Sequence, residues 1–127
     1  MKNILIVDDD VNTSLKYKKW LEDEGFNLTL INDPSLAELS FESDNYDLIL
    51  IGFKMSVIDG FNLYDKINEI SKKVEHTPKE FRVCFMTSSV INYKVLAEIH
   101  PEIGEECYVS KEVPKEVFIK HVYSLIS

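Results

Sequence analysis

Five short apolar runs, each giving way to polar residues and then to a helical stretch, constrain this chain more than any other feature. The runs are Ile4-Leu5-Ile6-Val7, Phe26 to Ile31, Asp47 to Ile51, Phe81 to Met86 and Glu106 to Val109. Runs this short and this apolar read as strands buried on both faces, the pattern of a parallel sheet. The second run alternates enough to be an edge or near-edge strand. The stretches between them carry helical periodicity. Tyr17, Trp20 and Leu21 share one face, after a cap at Asp10 or Asn12 and before a stop at Gly25. Lys16, Lys18 and Lys19 form a solvated face. Asp33-Pro34 opens a second helix with Ala37 and Phe41 inward. Leu63, Ile67, Ile70 and Val74 stripe a third, from about Asp59 to Val74, and a polar loop with Pro78 follows. A fourth helix covers about 91–100 and stops at Pro101. Pro114 begins the fifth, with Phe118, Val122 and Leu125 inward. Strict alternation of this kind gives a parallel α/β sheet with helices on both faces and right-handed crossovers.

At 127 residues the chain is expected to be a single domain, residues 1–127. With 45% hydrophobic and 28% charged residues it has the composition of a globular protein. The net charge of −8 argues against direct nucleic-acid binding, which needs a basic face. No run approaches the roughly 20 apolar residues of a membrane span, and the first residues lead straight into a strand. Cys84 and Cys107 have no partner motif and read as small buried residues of a reducing cytoplasm. His76, His100 and His121 lack metal-ligand spacing and read as structural or solvated.

Ligands of open α/β sheets bind outside the carboxyl ends of the strands. There this chain places Asp8-Asp9 after the first strand, Gly52 after the third, Thr87 after the fourth and Lys111 after the fifth. Paired carboxylates suit a hard cation such as Mg²⁺. A hydroxyl and an ammonium suit the oxygens of a phosphoryl group. On the residues alone, Asp8-Asp9-Asp10 could equally be a helix-capping cluster, Thr87 a strand-end hydroxyl and Tyr108 a fixed surface aromatic.

With these residues in this order the sequence resembles the receiver domains of two-component response regulators, over nearly the whole chain. Ile4 to Asp9 resembles the family's first strand and acidic pair. Asp47 to Ile51 resembles the strand that carries the phosphoacceptor, with Met55 and Asp59-Gly60 in the loop after it. Thr87 and Tyr108 resemble the switch pair, and Lys111 the family lysine. The resemblance implies a flavodoxin-like, doubly wound (βα)5 fold of strand order 2-1-3-4-5, in the cytoplasm. It implies Mg²⁺ at Asp8, Asp9 and the backbone carbonyl of Lys54, phosphoryl contacts from Thr87 and Lys111, and a Tyr108 that moves with activation. It implies a face at 91–126 that meets a protein partner or a second copy, as a homodimer.

The departures bear on function. The acceptor position is Gly52, so no side chain there can form an acyl phosphate, and the metal site loses an anionic ligand and binds Mg²⁺ weakly or not at all. Lys111 is expected to pair with Asp9 or Asp8 instead. Ser56 and Glu112 stand where the family has prolines, the latter at its usual cis bond. The reading is therefore an interaction module, not an enzyme, that works without aspartyl phosphorylation. One alternative is a normal receiver with an engineered change at position 52, although Ser56 and Glu112 favour natural divergence. Another is a receiver phosphorylated at a substitute such as Asp9 or Asp59. An alternative of another class is a haloacid-dehalogenase-like phosphatase using Asp8 and Asp10. It lacks the late acidic pair such enzymes need, since Glu102, Glu105 and Glu106 precede the fifth strand.

Overall fold

The apolar runs form one five-stranded parallel sheet of order β2-β1-β3-β4-β5. The computed structural model describes residues 2–55, 58–73, 80–88 and 93–126. The strands are β1 Asn3–Val7, β2 Asn27–Ile31, β3 Leu48–Gly52, β4 Arg82–Thr87 and β5 Tyr108–Ser110. The helices are α1 Val11–Asp23, α2 Ala37–Ser43, α3 Gly60–Lys72, α4 Tyr93–Ile99 and α5 Lys115–Ile126. The doubly wound α/β architecture and its 2-1-3-4-5 order are those expected.

Burial follows position in the sheet. Leu48 to Gly52 are buried at every residue, because β3 is central and covered on both faces. In β2, at the edge, Asn27 and Thr29 are exposed while Leu28 and Leu30 are half-buried. Alternate residues of the inner strands divide the core in two. Leu5, Ile49, Ile51 and Phe85 pack with Phe41, Leu63 and Ile67 on one side. Ile4, Ile6, Leu48, Leu50 and Met86 pack with Tyr17, Leu21, Phe118 and Val122 on the other. Tyr17 and Phe118 stack there with centroids 4.4 Å apart. Both cysteines are buried and unpaired.

Three boundaries differ from the sequence reading. The second helix opens as a 3-10 turn, Pro34–Leu36, before α2, with Asp33 accepting from Ser35 N at 3.1 Å. The last strand is Tyr108–Ser110, not 106–109. Glu105–Cys107 form a 3-10 turn closed by Cys107 N to Gly104 O at 3.0 Å, so the chain pairs with β4 only from Tyr108 onward. Thr87 belongs to β4, where it faces Ser110 of β5. Ser56, Val74, His76, Pro78 and the first residues of the expected fourth helix lie outside the described residues. No described helix is long and apolar enough to cross a membrane.

Candidate functional site

Parallel pairing brings the ends of β1, β3, β4 and β5 to one edge. Val7 lies beside Ile51, Gly52 beside Met86, and Thr87 beside Ser110. Asp8 leaves β1 and is fully buried. Its backbone is held from two sides, by its own N–H to Ile31 O at 3.1 Å and by Asn32 Nδ2 to its carbonyl at 2.8 Å. Asn32 Nδ2 also donates to Ser14 Oγ at 2.9 Å, tying α1 to this corner. The polar residue that ends β2 thus belongs to the site. A polar side chain at a strand end, the signal that singles out Asp8, Thr87 and Lys111, marks Asn32 as well.

The Asp8 carboxylate makes a hydrogen bond at one oxygen and an ion pair, without hydrogen-bond geometry, at the other. Oδ1 accepts from the backbone N–H of Asp10 at 3.0 Å, and Oδ2 lies 2.7 Å from Lys111 Nζ. Lys111 is aimed there by its backbone: its N–H donates to Thr87 O at 2.7 Å, and Tyr17 Oη donates to its carbonyl at 3.2 Å. Burial, then the Asp8 charge, pushes the Tyr17 phenol up to about 12, so it remains a donor across the neutral range. Among the described residues no peptide bond is cis, so the bond between Lys111 and Glu112 is trans. The loop is held by Glu112 N donating to Ser110 Oγ at 3.1 Å.

The Asp8 carboxyl group occupies the space that a side chain on residue 52 would use. A Cβ built there would fall 2.8 Å from Asp8 Cγ, 2.9 Å from Oδ1 and 3.0 Å from Oδ2. Beyond it, Phe53 N–H donates to Met86 O and Gly60 N–H to Phe53 O, both at 2.9 Å, which pins the start of the following loop. Lys54 is exposed in that loop and Asp9 is half-buried beside Asp8. Asp10 caps α1, the role left open between it and Asn12: Oδ1 accepts from Thr13 N at 3.2 Å and Oδ2 from Thr13 Oγ1 at 2.7 Å. The Thr13 hydroxyl bond, then the backbone bond, holds the Asp10 carboxyl below its ordinary range. Asp59 likewise caps α3, accepting from Asn62 N at 2.9 Å.

The donor set does not fit a Mg²⁺ ion. Such an ion takes six oxygens in near-octahedral array and is drawn to carboxylates whose lone pairs are open. Asp8 gives one oxygen to a backbone N–H and sets the other against an ammonium, which occupies the place of a cation, and residue 52 contributes no side-chain oxygen. Among the described residues no group of three or more His, Cys, Asp or Glu side chains is arranged to hold a metal.

Thr87 and Tyr108 lie on the β4–β5 side. Thr87 is buried, and its hydroxyl makes a long bond of 3.4 Å to Val109 O. Tyr108 is not the surface aromatic that the bare sequence allowed. Only 8% exposed, it stacks on Phe85 at 5.5 Å and meets Tyr93 edge-on at 6.0 Å. Its hydroxyl is buried without a hydrogen-bond partner among the described residues, and burial pushes the phenol up to about 12. His100, at the end of α4, sits edge-on to Phe61 at 4.7 Å with Nε2 3.2 Å from Asp65 Oδ1 and Nδ1 3.1 Å from Glu102 Oε2. It is structural, as expected, and links α3 to the turn before β5. On the outer surfaces of α4 and α5, Val95, Ile99 and Val117 are about half exposed or more.

Comparison with known proteins bears on the family and the fold. A family model, the response regulator receiver domain, matches residues 4–123. The chain is 30% identical over 124 residues to a probable transcriptional regulator, ycf29, of Porphyra purpurea, covering 98% of this chain and 56% of that protein. It is 26% identical to a two-component response regulator from Clostridium difficile, with a TM-score of 0.77 over 98% of this chain and 95% of the other. It is 25% identical to the response regulator protein TrrA from Thermotoga maritima, a structure in complex with Mg²⁺–BeF, with a TM-score of 0.73 over 98% of this chain and 99% of the other. The chain spans about half or less of the length of the curated relatives it matches.

Proposed function

Because this chain belongs to the response regulator receiver domain family of two-component signalling, we propose that residues 1–127 are a single receiver that works without a phosphoaspartate. Receivers accept a phosphoryl group on a carboxylate beside a divalent cation and pass the change to partner proteins or to a second copy. The observation that carries the reading is Gly52, at the acceptor position, with the Asp8 carboxylate lying over it. An acyl phosphate needs an open carboxylate oxygen in line with the incoming phosphorus. Position 52 offers no carboxylate, and Asp8 is fully buried with one oxygen on a backbone N–H and the other ion-paired to Lys111.

What remains is a binding surface. The 91–126 face carries Val95, Ile99 and Val117 in water and Tyr108 packed beneath. In this reading that face meets a protein partner or a second copy of the chain. With Tyr108 already inward, its form does not wait on a phosphate. The Asp8, Asp9 and Lys54 carbonyl site is vestigial, Thr87 and Lys111 are structural, and the domain is not an enzyme. A net charge of −8 directs it to proteins and away from nucleic acid.

Other uses of the acidic cluster fit the geometry less well. Asp10 and Asp59 are helix caps, with their carboxylates turned onto backbone N–H groups. A phosphatase pairing Asp8 with Asp10 would need both carboxylates to face substrate. The test is incubation with acetyl phosphate and Mg²⁺, followed by intact mass. The expected mass is that of the unmodified chain. An adduct of one phosphate, labile to hydroxylamine, would overturn the reading and direct peptide mapping to Asp9 or Asp59.

A further inference from the structure

We infer that Lys111 serves as a tethered cation in this pocket, with Asp8 converted from a metal ligand into its counter-ion, so that the resting protein takes no Mg²⁺ there. The inference deepens the proposal above and rests on its placing of Gly52 at the acceptor position.

Charge gives the first part of the argument. Asp8 and Asp9 bring two negative charges and Lys111 one positive, so the three side chains sum to −1. A carboxylate at position 52 would make the sum −2, the charge that a divalent ion neutralises. Without it the net charge falls to −1, and of the two carboxylates that remain the ammonium lies against Asp8, with Nζ at 2.7 Å. Surface pairs of this kind contribute little, because water competes for both partners. Asp8 is fully buried and the Lys111 side chain is only 15% exposed, so water has little access to either.

Space gives the second part. The carboxyl group of Asp8 stands within 3.0 Å of where a Cβ on residue 52 would begin. Real Cβ atoms do not approach other atoms so closely, so this placement of Asp8 exists only because residue 52 is glycine. The lost acceptor and the turned Asp8 are one coupled change.

Anchoring gives the third. Lys111 is held at its N–H by Thr87 O and at its carbonyl by Tyr17 Oη. The Asp8 backbone is held by Ile31 O and by Asn32. Both members of the pair are thus fixed from separate elements before their side chains meet. A dissolved cation entering this site would have to displace an ammonium that never diffuses away.

The test is metal binding by the intact chain, read without any phosphodonor. Mn²⁺ is titrated into ¹⁵N-labelled wild-type protein and into Lys111→Met, and the melting temperature of each is followed against Mg²⁺. Wild type should show no selective broadening of the Asp8, Asp9 and Gly52 amides and no Mg²⁺-dependent rise in melting temperature. Lys111→Met should bind Mn²⁺ at least about tenfold more tightly than wild type, since the competing charge is gone. If that variant is poorly folded without metal, its melting temperature should climb with Mg²⁺, because a ligand that binds only the native state stabilises it. Selective broadening at Asp8 and Asp9 in wild type overturns the inference, as does a Lys111→Met protein that gains neither Mn²⁺ affinity nor Mg²⁺-dependent stability. Wild type that binds Mn²⁺ but takes no phosphate sinks only this inference. Wild type that takes phosphate sinks the phosphorylation-independent reading itself.

Discussion

The two halves of the strand-end edge have fared differently. On the β1–β3 side, Asp8 is buried against Lys111 and fills the space above Gly52. On the β4–β5 side, Thr87 and Tyr108, the proposed switch pair, are buried, and α4 and α5 show apolar side chains to water. The first half is where a phosphoryl group would be received, the second where its arrival would be read. Besides the β3–β4 pairing, Lys111 joins the halves, through its N–H to Thr87 O and its ammonium to Asp8. In the proposed reading, the difference teaches that a binding surface can persist on a scaffold where an internal ion pair stands in place of the receiving chemistry.

The largest blow to this division is removal of the shared residue. Lys111→Met leaves the buried Asp8 carboxyl without its counter-ion, and should destabilise the fold by about 3–5 kcal/mol in urea unfolding. Adding Asp8→Asn should recover most of that loss. If Lys111→Met costs less than about 1 kcal/mol, the pair is no more than a surface contact and does not join the two halves. A smaller cost falls on the glycine. Gly52→Ala pushes a methyl into the Asp8 carboxyl and should cost about 1–3 kcal/mol, as overpacking does elsewhere. In an Asp8→Ala background the same change should cost almost nothing, and the difference measures the coupling.

Asp10 probes the first half at its rim. Asp10→Ala removes the α1 cap and should cost about 1 kcal/mol. The folded protein holds the Asp10 carboxyl below its unfolded value. Its contribution is therefore full above the ordinary aspartate range and is lost as pH falls through the depressed folded value. Stability curves of wild type and Asp10→Ala, measured against pH, should converge in acid. Tyr108 probes the second half, with the smallest effect. Its hydroxyl is buried without a partner among the described residues, so Tyr108→Phe should leave stability unchanged or raise it by up to about 1 kcal/mol. A clear loss would mean that the hydroxyl is engaged and that this side is less settled than its packing suggests.

Much of this was legible in the chain. The strands announced themselves because β-branched and aliphatic runs of this length have few other uses, and glycine, proline and aspartate marked the helix ends at Gly25, Pro34 and Asp59. The alignment of Asp8, Gly52, Thr87 and Lys111 followed from parallel pairing alone. Other features depended on side-chain direction, which periodicity does not carry. Between Asp8 and Asp9 as the partner of Lys111, only the path of the chain leaving β1 decides, with Asp8 inward and Asp9 half-buried. Tyr108 was ambiguous for a similar reason. The 3-10 turn at Glu105–Cys107 shortens β5 and sets its first residue over Phe85. For His100 the structural and solvated readings stayed open, since Asp65 and the Phe61 ring reach it from another helix.

The amide spectrum of ¹⁵N-labelled protein, recorded before and after beryllofluoride with Mg²⁺, tests the central claim most directly. That ligand mimics a phosphoryl group and needs an open acceptor carboxylate. The account predicts superimposable spectra, with Gly52, Thr87, Tyr108 and Lys111 unmoved. Saturable shifts at those residues would show that a phosphoryl group can still be received here, and would contradict it.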